Sequence, residues 1–202
     1  MNTFFKKIVV HILRWEARAV LNKFQPKIVA VTGSVGKSST KEAITVVLSL
    51  KYRVYKSPKS YNSAIGLPLT VLQQSTAWHS SAGWALVLWR GFFLRFQKEY
   101  SEVLVLETGV DRPGDMDSIL SIIEPQVSVV TAIGEIPVHV EFFSGPKELA
   151  FEKGKLARGT SSTGLVLLNA DDEVVYDMRN EARGKVITFG FGKGADIRVS
   201  QY

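Results

Sequence analysis

At 202 residues the chain is long enough for one sizeable domain with its own hydrophobic core. It contains no cysteine, which excludes disulfides, thiolate metal sites and a cysteine nucleophile. The net charge is +6, but +5 of it lies in residues 1–27, so the rest of the chain is close to neutral. That distribution argues against a nucleic-acid-binding domain, whose basic residues would be spread over a binding face.

Residues 1–26 are predicted to form a basic amphipathic helix that precedes the main domain. Their apolar run at 8–13 is too short for a signal peptide, and no stretch of the chain has the length of a transmembrane span. We therefore expect a cytoplasmic protein whose contact with a membrane surface, through residues 1–26, is at most weak. The helix is expected to have an apolar stripe of Phe5, Ile8, Ile12, Trp15 and Ala19 and a basic stripe of Lys7, His11, Arg14 and Arg18.

Apolar strands then alternate with helices along the rest of the chain. Strands are predicted over 27–32, 52–56, 103–107, 127–133, 164–169, 186–190 and 197–200. Helices are predicted over 37–50, 66–74, 115–123 and 147–158 and after Asp171-Asp172, and the first of them is expected to turn Ala43, Val46, Val47 and Leu50 inward. This alternation predicts an α/β fold over residues 27–202, a three-layer α/β/α domain whose mostly parallel sheet is covered on both faces.

Residues 75–101 interrupt this pattern with a concentration of aromatic side chains and three cations, Arg90, Arg95 and Lys98. We interpret the segment as an inserted helix whose aromatic residues pack on the edge of the sheet. The alternative is an interfacial helix, because basic and aromatic residues together suit the headgroup region of a membrane.

The clearest motif is TGSVGKSST at residues 32–40, which follows an apolar strand and opens a helix. Glycines at 33 and 36 allow a tight turn that aims backbone N–H groups at phosphate oxygens, and the helix N-terminus adds partial positive charge. Lys37 is then placed to reach the β- and γ-phosphates of a nucleotide, and the Ser38 hydroxyl to bind Mg²⁺. Val31 stands where the longer P-loop pattern has glycine. The predicted ATP-binding loop comprises Gly33, Ser34, Val35, Gly36, Lys37, Ser38 and Ser39.

Four further residues are candidates on weaker grounds. Glu107 ends a buried strand, where parallel sheets bind their ligands, and its carboxylate suits Mg²⁺. By spacing alone, His139 is more often a partly buried histidine and Lys153 a solvated helix lysine. Asn62 is by itself only a polar loop residue.

Five blocks in order resemble the Mur ligase family: TGSVGKSSTKE, NSAIGLPLTVL, VLETGVDRPGDM, VHVEFFSGPKELAFEKGKL and VLLNADD. The resemblance covers about residues 27–200 and is closest to the branch that adds D-alanyl-D-alanine to a UDP-linked muramoyl tripeptide. It implies a P-loop central domain of an ATP-dependent amide-forming ligase of peptidoglycan precursor synthesis. In such an enzyme ATP converts a carboxylate into an acyl phosphate, which an amine then attacks.

Site roles follow from the resemblance residue by residue. Lys37 is implied to hold the transferring phosphates and Ser38 and Glu107 one of two Mg²⁺ ions. His139 matches a metal-associated histidine, and Asn62 falls in a substrate-facing loop. Lys153 matches a lysine that family members carry as a carbamate, which would turn a cation into an oxygen ligand for a second Mg²⁺.

The sequence also departs from the family. Ala132 stands where asparagine is usual, and a short basic helix takes the place of the domain that holds the UDP-sugar. We expect either part of a longer ligase or a degenerate member that does not complete the reaction alone. The alternatives are a non-catalytic nucleotide-binding module and a P-loop kinase or nucleotide hydrolase.

Overall fold

The computed structural model of the chain describes residues 3–58, 61, 63, 65–77, 80–134 and 142–200. Its helices are α1 (Thr3–Phe24), α2 (Lys37–Ser49), α3 (Gly66–Val71), α4 (Ser81–Leu94), α5 (Asp115–Leu120), α6 (Pro146–Arg158) and α7 (Glu173–Asp177). Its strands are β1 (Lys27–Thr32), β2 (Val54–Lys56), β3 (Val103–Glu107), β4 (Val127–Val130), β5 (Leu165–Asn169), β6 (Lys185–Gly190) and β7 (Ile197–Arg198). All the predicted strands are present, although several are shorter than predicted; β4, for example, ends at Val130 rather than at residue 133.

The strands form a seven-stranded sheet in the order β2-β3-β1-β4-β5-β6-β7, and every neighbouring pair is parallel. Helices flank both faces, which confirms the predicted α/β fold. The layers are unequal, however. In the described part of the chain α2 packs against β1, β2 and β3 on one face, whereas the larger core, with α1, α3, α5 and α6, covers the other.

Helix α1 is part of this larger core, but not through the stripe predicted for it. Ile8 and Trp15 are exposed, and the buried side chains are instead Val9, Leu13, Ala17 and Val20. Two apolar stripes overlap on this helix, and packing against α3 and α4 selects the aliphatic one together with Glu16, which is also buried. On the basic side Arg14 donates a hydrogen bond to Ser118 O, one of the last carbonyls of α5, and Arg18 donates to Ser121 O at the C-cap of that helix, where cations are favoured.

The inward face predicted for α2 is also wrong. Val46 and Val47 are both 65% exposed and Leu50 is 86% exposed, and Ala43 is exposed as well. The helix turns Lys41, Ile44 and Leu48 toward the sheet instead. Its exposed apolar side borders a groove of about 460 Å³ over β4 and β5.

The aromatic segment contains α4, which packs on α1 rather than on the edge of the sheet. Trp84, Val87, Gly91 and Leu94 are buried at this contact. The opposite side of α4 is exposed. The prediction that the aromatic residues of this segment pack on the edge of the sheet is therefore wrong for that side. No helix in the described ranges is both long enough and apolar enough to cross a membrane.

Candidate functional site

The loop between β1 and α2 has the backbone of a phosphate-binding turn. Gly33 has φ 144° and Gly36 has φ 84°, and Gly36 immediately precedes the first residue of α2. A Cβ at Gly33 would lie 2.0 Å from Thr131 Oγ1, so the loop approaches the end of β4 too closely for any side chain. Because the first N–H groups of a helix have no partner within the helix, the start of α2 presents donors and partial positive charge at this turn.

The segment just after β4 holds the loop in place through its backbone. Ala132 O accepts hydrogen bonds from Ser34 N at 2.6 Å and Val35 N at 3.2 Å. Thr131 Oγ1 donates to Val35 O at 2.7 Å. Since residue 132 contributes its carbonyl to these bonds, alanine in place of the usual asparagine leaves this anchoring intact.

Both site lysines lie at the loop. Lys37 Nζ donates to Ser34 O at 3.1 Å, and Lys153 Nζ donates from α6 to Gly33 O at 2.8 Å. Lys153 is only 4% exposed, so it is not the solvated lysine that its spacing favours. Burial and, to a smaller extent, the nearby Lys37 charge lower the pKa of Lys153 to about 8, although Asp111 opposes the shift.

Glu107 lies beside the start of α2, at the end of a neighbouring strand. The parallel pairing of β1 with β3 aligns Val31 with Glu107. Ser38 Oγ donates to Glu107 Oε2 at 2.9 Å, so the two groups expected to bind one Mg²⁺ are adjacent. Glu107 is itself buried, with 8% of its surface exposed.

Sequence reasoning missed the cation that accompanies Glu107. Lys41 is fully buried, and its Nζ lies 3.2 Å from Glu107 Oε2 and 2.9 Å from Ser57 O. Ser57 Oγ in turn accepts from the backbone N–H of Glu107 at 2.9 Å. The sequence does contain a pattern that points to Lys41, because this residue lies one turn after Ser38 and therefore on the same face of α2.

Asp172 secures the other side of the site. Its Oδ1 accepts from Val175 N at 3.1 Å, which makes it the N-cap of α7. Its Oδ2 accepts from Ile133 N and Gly134 N and so anchors the chain that follows β4. Asn62 and His139 lie outside the described residues.

The donor set fits a nucleotide with magnesium better than a metal held by protein alone. Within the described ranges, no group of three or more His, Asp or Glu side chains is arranged to hold an ion. Mg²⁺ typically takes one or two carboxylates and completes its shell with phosphate oxygens and water, which matches Glu107 and Ser38. Ser34 Oγ is buried in the loop without a hydrogen-bond partner, as expected of a group that faces an absent ligand.

Known proteins resemble the chain over most of its length. The Mur ligase middle domain family matches residues 31–82 and 89–202. The UDP-N-acetylmuramoyl-tripeptide–D-alanyl-D-alanine ligase of Bacillus subtilis is 28% identical over 183 residues, which are 91% of this chain and 34% of that ligase.

Solved structures give the same result. MurF from Thermotoga maritima in complex with ADP is 28% identical with a TM-score of 0.72, and the match covers 93% of this chain and 38% of that one. MurF from Acinetobacter baumannii, at 22% identity, shares the fold with a TM-score of 0.74 over 96% of this chain and 37% of its own. The chain thus spans little more than a third of the length of these relatives.

Proposed function

Since this chain belongs to the Mur ligase family, we propose that it supplies the ATP-binding part of an amide-forming ligase of peptidoglycan precursor synthesis. The observation that carries the proposal is the placement of Lys37, Ser38 and Glu107 around one glycine-rich turn. The ADP complex of the Thermotoga maritima relative supports a nucleotide at this turn. Because the reaction consumes ATP, we assign the protein to the cytoplasm.

The proposed substrates are ATP, a UDP-linked muramoyl tripeptide and D-alanyl-D-alanine, the last two taken from the name of the relatives. A carboxylate oxygen of the peptide attacks the γ-phosphorus, and ADP leaves. The amine nitrogen then attacks the acyl carbon of the acyl phosphate; inorganic phosphate leaves, and the nitrogen loses a proton to form the amide. The amine acceptor and the carboxylate substrate are the parts of the proposal that rest on the relatives alone.

Within this reaction the chain mainly positions groups and offsets charge. The N–H groups at the start of α2 hold phosphate oxygens, and Lys37 moves from Ser34 O to the transferring phosphoryl group, whose charge it stabilises. Ser38 and Glu107 would hold a Mg²⁺ ion, which offsets phosphate charge when bound. Lys41 keeps the Glu107 carboxylate aimed at Ser38.

We further propose that Lys153 carries a carbamate and that His139 and the carbamate serve a second Mg²⁺. The neutral amine attacks CO₂ and loses a proton, which leaves a negatively charged group. Burial favours this reaction, because it lowers the pKa of Lys153 to about 8 and so raises the neutral fraction. Asn62 is proposed to face the substrate.

Nucleotide binding tests the central assignment. In isothermal titration calorimetry with ATP and Mg²⁺, Lys37→Ala should bind about tenfold or more weakly, because it loses a charge-assisted contact. Lys185→Ala, which removes an exposed lysine at the far end of the sheet, is the matched control and should bind like the wild type. Equal affinity of Lys37→Ala and wild type would contradict the assignment.

Turnover separates the ligase from the alternatives. We expect the 202-residue chain to bind ATP without completing the reaction, because about two thirds of the relatives' length has no counterpart in it. Phosphate release that needs both the UDP-muramoyl tripeptide and D-alanyl-D-alanine would contradict this expectation. Phosphate transfer to a hydroxyl acceptor would instead favour a kinase.

A further inference from the structure

Helix α4 is apolar on both sides, yet only one side is covered. The outward side and the turn that follows the helix present a row of aromatic residues, of which Trp89 on α4 is 64% exposed and Phe96 in the turn is 65% exposed. Phe92 and Phe93 are exposed between them, and neighbouring ring centroids lie 4.6 to 6.0 Å apart. A helix that is apolar all round normally lies in an apolar environment, so we expect a binding partner to cover this aromatic row.

The charge of the α4 segment is positive, and the exposed carboxylate that follows it, Glu99, is paired with Arg53. Residues 73–98 contain no Asp or Glu, and residues 1–24 contain only Glu16, which is buried. Arg90 and Lys98 are exposed on either side of the row. The guanidinium of Arg95 lies 3.7 Å from the Phe92 ring centroid and 4.9 Å from that of Trp15, so it connects the row to the exposed side of α1.

Helix α1 extends this surface. Ile8 and Trp15 are exposed on it, and Lys6, Lys7 and His11 are exposed nearby. Lys23 Nζ, from the end of α1, donates to Arg95 O and Gln97 O and so fixes the end of α4 against α1. The two helices therefore present one rigid face with an aromatic centre and a basic rim.

We propose that the α1–α4 face binds the surface of an anionic lipid bilayer. Exposed Trp and Phe side chains fit the boundary between headgroups and acyl chains, and the basic rim fits lipid phosphates. Neither helix spans the bilayer. A second copy of the chain is a poor occupant, because a two-fold contact would place like-charged rims against each other.

This surface is separate from the nucleotide site, although its aromatic row lies in residues 89–202, which the family match covers. The match to the Mur ligase middle domain leaves residues 83–88 out, and these lie within α4. All of α1 precedes residue 31, where the match begins. The proposal uses no residue of the P-loop, so it stands or falls independently of the ligase assignment.

Vesicle flotation tests the proposal with the whole chain. We expect wild type to float with vesicles of phosphatidylglycerol and phosphatidylcholine in equal amounts, much less with phosphatidylcholine alone, and less at high salt. Trp89→Ser/Phe93→Ser/Phe96→Ser should lower the partition coefficient about tenfold or more, since it removes the inserting side chains. Arg90→Glu/Lys98→Glu should reduce binding to the anionic vesicles only.

The matched control removes exposed apolar residues elsewhere. Val46→Ser/Val47→Ser/Leu50→Ser on α2 should float like wild type, and circular dichroism spectra confirm that each variant is folded. Absence of wild-type binding to anionic vesicles, or equal binding of the α4 and α2 variants, would overturn the proposal. Lipid-free self-association, seen by analytical ultracentrifugation and abolished by the α4 variant alone, would assign the face to a second copy and overturn it as well.

Discussion

Replacing Lys41 by methionine tests whether this lysine neutralises Glu107. The two side chains are 1% and 10% exposed, and Lys41 Nζ lies 3.2 Å from Glu107 Oε2. Methionine keeps most of the aliphatic stem but removes the charge. Removing one member of a buried ion pair costs about 3 to 5 kcal/mol, because the other charge is left without compensation. The remaining hydrogen bond from Ser38 to Glu107 Oε2 places the expected loss of unfolding free energy near the lower end, at about 3 kcal/mol.

Urea denaturation followed by circular dichroism measures this loss. The double variant Lys41→Met/Glu107→Gln removes the stranded charge as well, so it should recover about 1 to 2 kcal/mol relative to Lys41→Met. Lys56→Met is the matched control, because Lys56 pairs with Glu42 where both side chains are about half exposed. Exposed pairs contribute about 0 to 1 kcal/mol, so the control should change little.

Two results would refute the reasoning about Lys41. A loss below about 1 kcal/mol for Lys41→Met would place the pair in the range of surface ion pairs. A double variant no more stable than Lys41→Met would show that Glu107 does not depend on this cation. In either case the orientation of the Glu107 carboxylate toward Ser38 would be set by the hydrogen bond to Ser57 and by the position of β3 alone.

Three further predictions concern other buried groups. Burial in an apolar contact raises the pKa of Glu16 from 4.5 to about 7, although Arg95 opposes the shift, so the folded state keeps a proton that the unfolded state releases. The free energy of unfolding, measured by urea denaturation, should therefore fall by up to about 3 kcal/mol between pH 4.5 and 7. Glu16→Gln should flatten this pH dependence, and an unchanged pH dependence in that variant would contradict its assignment to Glu16. Nuclear magnetic resonance with ¹³C-labelled bicarbonate should detect a carbamate in wild type and in Lys185→Arg but not in Lys153→Arg, and a signal that survives in Lys153→Arg would place the modification elsewhere. Gly33→Ala, whose Cβ would lie 2.0 Å from Thr131 Oγ1, should weaken ATP binding in calorimetry, whereas Gly114→Ala, where no atom lies within 4 Å, should leave it unchanged; equal affinities would contradict a tightly packed loop.

The strands could be predicted because most of them are largely apolar runs, and the P-loop because its glycines and lysine follow such a strand. The sides of the helices that face the core could not be predicted from the sequence. On α2, residues 43, 46, 47 and 50 form a regular apolar stripe, yet the inward position belongs to Lys41, since Glu107 beneath it needs a cation. Periodicity shows that a helix has an apolar side, but a charge requirement at the site decided which side faces the sheet.

Helix α1 shows the same limit in another form. Its predicted stripe contains Ile8 and Trp15, whereas the buried stripe contains Glu16, whose Oε2 has no hydrogen-bond partner and lies where a Cβ on Gly91 would stand. A sequence pattern disfavours a buried glutamate. The close approach of α4 at Gly91, which creates this environment, is a contact between segments about 75 residues apart and leaves no local signal.

The assembly of the nucleotide site depends on strand order, which no motif encodes. Glu107 ends β3 and Thr131 follows β4, and each becomes a neighbour of the P-loop only because these two strands pair on either side of β1. Since parallel strands end at the same edge, this order brings Glu107 to Ser38 on one side and Thr131 to Gly33 on the other. If β1 were an edge strand, the loop would lose one of these two neighbours: either the carboxylate expected to bind magnesium or the carbonyl of Ala132 that holds its backbone. The central position of β1 is therefore as much a requirement for phosphate binding as the glycines themselves.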